Sequence, residues 1–169
     1  MSINVEVQEP AATDAPRRVR YEPKRRQLQV ASKTYLSPDY LRIVLQGDLS
    51  GFESQGFDDH IKLIFPDPVT GVIHFPGDAA KEGESRPIMR DYTPRYFDVA
   101  AGQLTLEFAL HGLEQGNAGP ATLWAAHSAN GDTLHIAGPR GSRLLPDIYD
   151  HYVLIGDETA IPAIGRRLE

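Results

Sequence analysis

The stretch "QLTLEFAL", residues 103–110, alternates without a break: Leu104, Leu106, Phe108 and Leu110 against Gln103, Thr105, Glu107 and Ala109. Period two over eight residues is the mark of a strand with one face on a core and one face wet. Similar runs lie around it. "RQLQVASKTYL" is followed by the turn Ser37-Pro38-Asp39 and then by "YLRIVLQG". "HIKLIFP" puts Ile61, Leu63 and Phe65 on one face, and "DTLHIAG" adds Leu134 and Ile136. Glycine (15) and proline (13) together exceed the usual share of about 12%. Many short strands with such turns predict a mainly β fold, a small antiparallel barrel over residues 17–145.

Two segments depart from this pattern. "NAGPATLWAAHSAN", residues 117–130, predicts one short helix, with Gly119 as N-cap, Pro120 in the first turn and Gly131 after the end. Leu123, Trp124 and His127 share a face at helical spacing. Near the C-terminus, Val153-Leu154-Ile155 is a continuous apolar run, as in a strand buried on both faces of a parallel sheet. A polar turn and a helix around 159–169 follow. Residues 146–169 therefore predict the opening β–α unit of an α/β nucleotide-binding domain, incomplete in this chain. Residues 1–16 are polar, with two prolines, and predict a flexible tail.

Composition narrows the function. The chain has 169 residues, 41% hydrophobic and 24% charged, as in an ordinary globular protein. It has no cysteine, which removes disulfides, thiolate metal sites and cysteine nucleophiles. The histidines show no paired metal-ligand spacing, so no metal site is expected. A net charge of −6 disfavours a nucleic-acid binder. Neither a secretory signal nor a membrane-spanning run is visible, so a monomer in the cytoplasm is expected. Charge is uneven, however: "RRVRYEPKRR", residues 17–26, opposes six basic residues to Glu22 alone. It reads as a solvated approach to the first strand, and alternatively as a basic rim for an anionic ligand.

The chemistry lies in "RDYTPR", residues 90–95. Arg90 and Arg95 can supply forked charge to a phosphate. Tyr92 offers a flat face for a ring, and Thr93 a donor and acceptor beside it. Alternation along a strand puts Arg90 and Tyr92 on one face, and Thr93 and Arg95 on the other unless a bulge intervenes. A helix starting at Gly119-Pro120 leaves the N–H groups of Ala121 and Thr122 free, at the positive end of its dipole. Together these residues fit a ligand with a diphosphate and a planar heterocycle.

"RDYTPR", "LHGLEQGNAGPATLWA", "GPRGS" and "GDETAIPAI", in this order, resemble the siderophore-interacting protein family, flavin-dependent ferric-siderophore reductases of the ferredoxin-reductase-like superfamily. The resemblance covers roughly residues 18–169. It implies FAD as cofactor and NADPH or NADH as electron donor, with electrons passing through the flavin to ferric iron in a siderophore. No side chain need act as acid or base. Tyr92 and Thr93 would meet the isoalloxazine, while Arg90 and Arg95 would hold phosphate or the adenosine half. His111 and Gly112 would line the same groove, and Gly119, Ala121 and Thr122 would bind pyrophosphate. Asp157, Glu158 and Thr159 would begin the NAD(P)H domain, and His60 and Lys62 could meet substrate. Arg140 and Arg143 read as linker residues. Two alternatives stay open: a ferredoxin, flavodoxin or quinone reductase on the same scaffold, and a flavin- or siderophore-binding module without turnover.

Overall fold

The computed structural model describes residues 15–78 and 86–169. Nearly all of the predicted tail lies outside them. Among the described residues nine strands, in chain order, are β1 (Arg17–Arg20), β2 (Arg25–Ser37), β3 (Tyr40–Gly47), β4 (Ile61–Phe65), β5 (Ile88–Tyr92), β6 (Tyr96–Asp98), β7 (Gln103–Ala109), β8 (Thr133–Ala137) and β9 (Gly141–Leu144). Two helices, α1 (Pro120–His127) and α2 (Ile161–Leu168), complete the fold, with a 3-10 turn at Glu158–Ala160 leading into α2.

Seven strands form one antiparallel sheet in the order β5-β4-β8-β2-β3-β7-β6. Its two edge strands are consecutive in the chain, joined by Thr93-Pro94-Arg95 alone. Laid flat, seven strands would part these edges by ~29 Å, at ~4.8 Å per strand. Four Cα steps from Tyr92 to Tyr96 span at most ~14 Å. The sheet must curl until its edges meet, and "RDYTPR" forms the seam of the half-barrel. The predicted single strand is thus two strands and a sharp link.

The inward residues are those the alternation selects: Leu28, Ile43, Leu45, Leu63, Leu104, Leu106, Phe108, Leu134 and Ile136 are fully or almost fully buried. The face predicted to be wet is not uniformly so. Glu107 and Ala109 are buried, because the outer side of β7 faces a groove rather than open solvent. The buried residues of α1 are Ala121, Thr122 and Ala125. Leu123 and His127 face out instead of sharing an inner face with Trp124, since small residues let the helix lie close to β4 and β7. Trp124 is half-buried against the core.

The basic approach segment and the expected linker are both strands. β1 pairs with β9 antiparallel, Arg18 opposite Arg143 and Arg20 opposite Gly141. Strands of four residues with one apolar side chain each, RRVR and GSRL, carry too little apolar pattern to announce themselves. A buried polar network closes this ribbon onto the barrel. Asp59 Oδ2 accepts from Ser142 Oγ (2.5 Å), Ser54 Oγ (2.9 Å) and the Gly56 N–H (3.0 Å). Arg166 of α2 donates to Ser54 Oγ and to the Ser54 carbonyl, each at 2.9 Å. This network pins α2 to the barrel.

Val153 and Ile155, expected in a buried strand, are 82% and 91% exposed, and no strand forms there. Burial on both faces requires neighbouring strands, and none flanks this segment among the described residues. Amides of residues 152–156 are therefore expected to exchange with solvent far faster than those of β2, β3 and β7, as hydrogen exchange would read. Slow exchange there in a monomer would contradict this arrangement.

Candidate functional site

A groove of about 390 Å³ opens beside the seam, lined by His60, Arg90, Asp91, Tyr92, Thr93, Glu107, Ala109, His111, Gly119, Ala121, Thr122, Thr159 and Pro162. Three elements build it. β5 delivers Arg90 and Tyr92, and the chain turns sharply at Thr93, which brings that hydroxyl to the side of Tyr92 rather than the opposite face. β7 supplies the floor through Glu107 and Ala109. α1 presents its N-terminus, where Gly119 has φ −74° and ψ 168° and Pro120 occupies the first turn.

Aromatic packing fixes the groove wall. Tyr92 stacks obliquely on Phe108, with centroids 4.6 Å apart, and Phe108 meets Trp124 at 6.0 Å. Trp124 in turn touches Phe65 at 6.3 Å. Trp124 therefore braces α1 from the core, and the Tyr92 ring is backed by a fully buried Phe108. Burial pushes the Tyr92 phenol up to about 12, partly offset by Arg90, so it stays neutral. Lys33 donates to the carbonyls of Ala126 and Ser128 at the other end of α1, which complements the negative end of that helix.

Of the expected site residues, Arg90, Tyr92, Thr93, His111, Gly119, Ala121, Thr122 and Thr159 converge on this groove, together with His60. Others do not. Arg95 leaves it at the turn after Thr93 and forms a two-bonded ion pair with Glu169, at 2.6 and 2.9 Å. A Cβ on Gly165 would come within about 3.0 Å of the Arg95 guanidinium, so the arginine packs on α2. That hydrogen-bonded pair raises the Arg95 pKa and lowers that of Glu169. Gly112 and Glu158 line a neighbouring cavity of about 670 Å³, which shares His111 with the groove. Gly112 has φ +76° and forms a turn in which Asn117 occupies the space of a side chain. Asp157 caps the 3-10 turn, accepting from the Thr159 N–H (3.0 Å) and hydroxyl (2.5 Å), and those bonds hold its pKa low. Lys62 lies on the outer face of β4, paired with Asp91 at 2.6 Å. It lines a third cavity of about 420 Å³ with Lys24, Arg25, Arg140 and His60.

Glu107 is the site residue that sequence reading missed. It is 4% exposed, accepts from Tyr40 Oη (3.0 Å), and takes both Nε (2.9 Å) and Nη2 (2.5 Å) of Arg42. Arg42 lies directly opposite it in the β3–β7 register. A charge between Leu106 and Phe108 was the available signal.

The donor set suits a flavin dinucleotide. Arg90 brings forked charge, the first turn of α1 brings free N–H groups, and nothing lies within 4 Å of a Cβ built on Gly119, so a phosphate has room there. A family model described as the siderophore-interacting FAD-binding domain matches residues 29–143. The chain belongs to that family. It is 42% identical over 160 residues to the NADPH-dependent ferric-chelate reductase of Escherichia coli, covering 91% of this chain and 60% of that protein. It is 34% identical over 148 residues to the ferric vibriobactin reductase ViuB of Vibrio cholerae, covering 85% and 53%. A siderophore utilization protein from T. fusca superposes with a TM-score of 0.77 at 39% identity, covering 92% of this chain and 59% of that one. The chain thus spans little more than half the length of these relatives. Its fold matches the part of the T. fusca protein that it covers, and the seam, β7 and the start of α1 all fall within the matched FAD-binding domain. Among the described residues no helix is long and apolar enough to cross a membrane, and no cluster of three or more His, Asp or Glu could hold a metal ion.

Arg90 is expected to contribute a charge-assisted contact of about 1.5–3 kcal/mol to a bound diphosphate. Arg90→Ala should weaken FAD binding roughly tenfold to hundredfold in a flavin-fluorescence titration. Among the described residues its side chain otherwise bonds only the adjacent Met89 carbonyl, at 2.7 Å, so the fold should be unaffected. Unchanged affinity would remove Arg90 from the site.

Proposed function

We propose that this chain is the flavin-carrying part of a ferric-siderophore reductase, taking electrons from NADPH or NADH through FAD to ferric iron in a siderophore and releasing Fe(II). The observation that carries the reading is the convergence of Arg90, Tyr92, Thr93 and the first turn of α1 on one groove. The names of the E. coli and V. cholerae relatives support the substrate class. FAD, when bound, supplies a centre that accepts two electrons together and donates them singly. The chain's own residues bind and orient. Arg90 and the N–H groups of Ala121 and Thr122 would hold the diphosphate, Tyr92 backed by Phe108 would meet the ring, and Thr93 would offer a hydroxyl to it. His111 would line the same groove.

The cavity that shares His60 with the groove suits the substrate. Lys24, Arg25, Lys62 and Arg140 line it; Arg25 pairs with Asp78 and Lys62 with Asp91, while Lys24 and Arg140 add further positive charge. A ferric chelate carrying negative charge would be drawn there despite the net charge of −6 on the chain. The Asp157–Thr159 turn and α2 would open the NAD(P)H-binding domain, held to the barrel by Arg166 and by the Arg95–Glu169 pair. A monomer in the cytoplasm, where NAD(P)H is supplied, fits this role.

Anaerobic photoreduction of the FAD-loaded chain, followed by addition of a ferric siderophore, tests the reading. A colorimetric Fe(II) chelator should register about two Fe(II) per flavin, because a two-electron donor serves a one-electron acceptor. The rate should fall as salt rises, since docking is electrostatic. A flavin that stays reduced in the presence of the ferric chelate would reject it and favour a passive carrier.

A further inference from the structure

Glu107 is unlike the other charged residues of the groove. Arg90, Asp91, His60 and His111 are exposed at its rim, where water and salt screen them. Glu107 is 4% exposed and lines the groove together with Tyr92 and Thr93. Neither of its hydrogen-bond partners lines that groove. Arg42 comes from the adjacent β3 with a 41% exposed side chain, and Tyr40 gives its hydroxyl from the same strand. Burial, and then Glu107 itself, push the Tyr40 phenol well above its ordinary value, so it remains a donor. One carboxylate is thus fixed in the floor, bonded to the Arg42 guanidinium, with the Arg95 guanidinium near enough to attract it as well.

We propose that Glu107 sets the reduction potential of the flavin held in this groove, as a fixed negative charge in the floor that Arg42 and Tyr40 hold in place and Arg42 partly offsets. The proposal rests on the groove holding FAD. Reduction of a flavin by two electrons and one proton adds one negative charge to the bound group. A buried carboxylate opposes that gain, and does so strongly because little water intervenes. Arg42, which does not line the groove, works against it. The pair gives the protein a means of keeping its flavin a strong enough reductant for a tightly chelated ferric ion. Tyr92 and Thr93 place the group; Glu107 and Arg42 tune it.

The sign of the effect separates tuning from a structural role. FAD affinity would first be measured by titration for the wild-type chain and for Glu107→Gln and Arg42→Gln. The potential of bound FAD would then be read at pH 8 by spectroelectrochemistry. Glu107→Gln keeps the shape, its amide oxygen still accepts from Arg42 and its amide N–H donates to the Tyr40 hydroxyl in place of accepting from it; it removes the charge and should shift the potential upward. Arg42→Gln removes the cation bonded to the carboxylate, leaving only the attraction of Arg95, and should shift the potential downward. A merely structural role would move both the same way or neither, and either result would overturn the proposal. If Glu107→Gln fails to fold, the Arg42→Gln shift decides alone, with a downward shift expected. A wild-type chain that binds no FAD would overturn the reading of the groove and this proposal with it. FAD bound in all three proteins at one potential would overturn the proposal alone.

Discussion

Gly119→Asp is expected to abolish FAD binding while leaving the fold slightly more stable. Gly119 is the N-cap of α1, with ordinary extended backbone, and a Cβ there meets nothing within 4 Å. Aspartate is a better N-cap than glycine by a few tenths of a kcal/mol, because its carboxylate accepts from the second or third N–H of the helix. Those N–H groups belong to Ala121 and Thr122, the donors assigned to the diphosphate. The new carboxylate would occupy them and repel the ligand as well. Together these effects should weaken binding by more than about a hundredfold, which is about 2.7 kcal/mol. A fluorescence titration beside a thermal melt checks both halves. Affinity within a few-fold of wild type would mean that phosphate does not sit at the start of α1.

Phe108→Ala should have the largest effect on stability of any single change near the groove. Phe108 is fully buried and touches both the Tyr92 and Trp124 rings. Truncating a buried phenylalanine costs about 3–5 kcal/mol through lost transfer energy and the cavity left behind. A domain of this size is stable by only about 5–15 kcal/mol in total. The variant should therefore unfold at much lower denaturant. Its folded fraction should also bind FAD less tightly, because Tyr92 loses its backing and α1 its seat. A loss below about 1 kcal/mol in urea unfolding would show that the site collapses around the gap.

Much of this was legible in the chain. "QLTLEFAL" named the inward row of β7, and the "GPAT" cap named the start of α1, because both depend on local periodicity and local cap chemistry. The seam was partly legible, since "RDYTPR" concentrates the right groups, but its sharp turn is not. That turn explains why Thr93 joins Tyr92 in the groove and why Arg95, two residues on, is carried to Glu169 instead. Periodicity also shows that two faces of a strand differ without showing what covers them. Glu107 looked solvated until the helix and seam closed over it. Arg42 opposite it was invisible without the register of β3 on β7. Val153-Leu154-Ile155 failed in the reverse sense. Its composition suits a buried strand, but burial depends on neighbours that do not flank it here. β1 and β9 were missed because their pairing joins residues more than 120 positions apart.

The most direct test of the central claim is amide chemical-shift mapping as FAD is titrated into this chain. Saturable shifts should concentrate at Tyr92, Thr93, His111, Ala121 and Thr122, with the β1–β9 ribbon and the Arg95–Glu169 contact little changed. Binding that instead moved the cavity around Lys24, Arg25 and Arg140, or left Ala121 and Thr122 unshifted, would contradict the assignment of the groove.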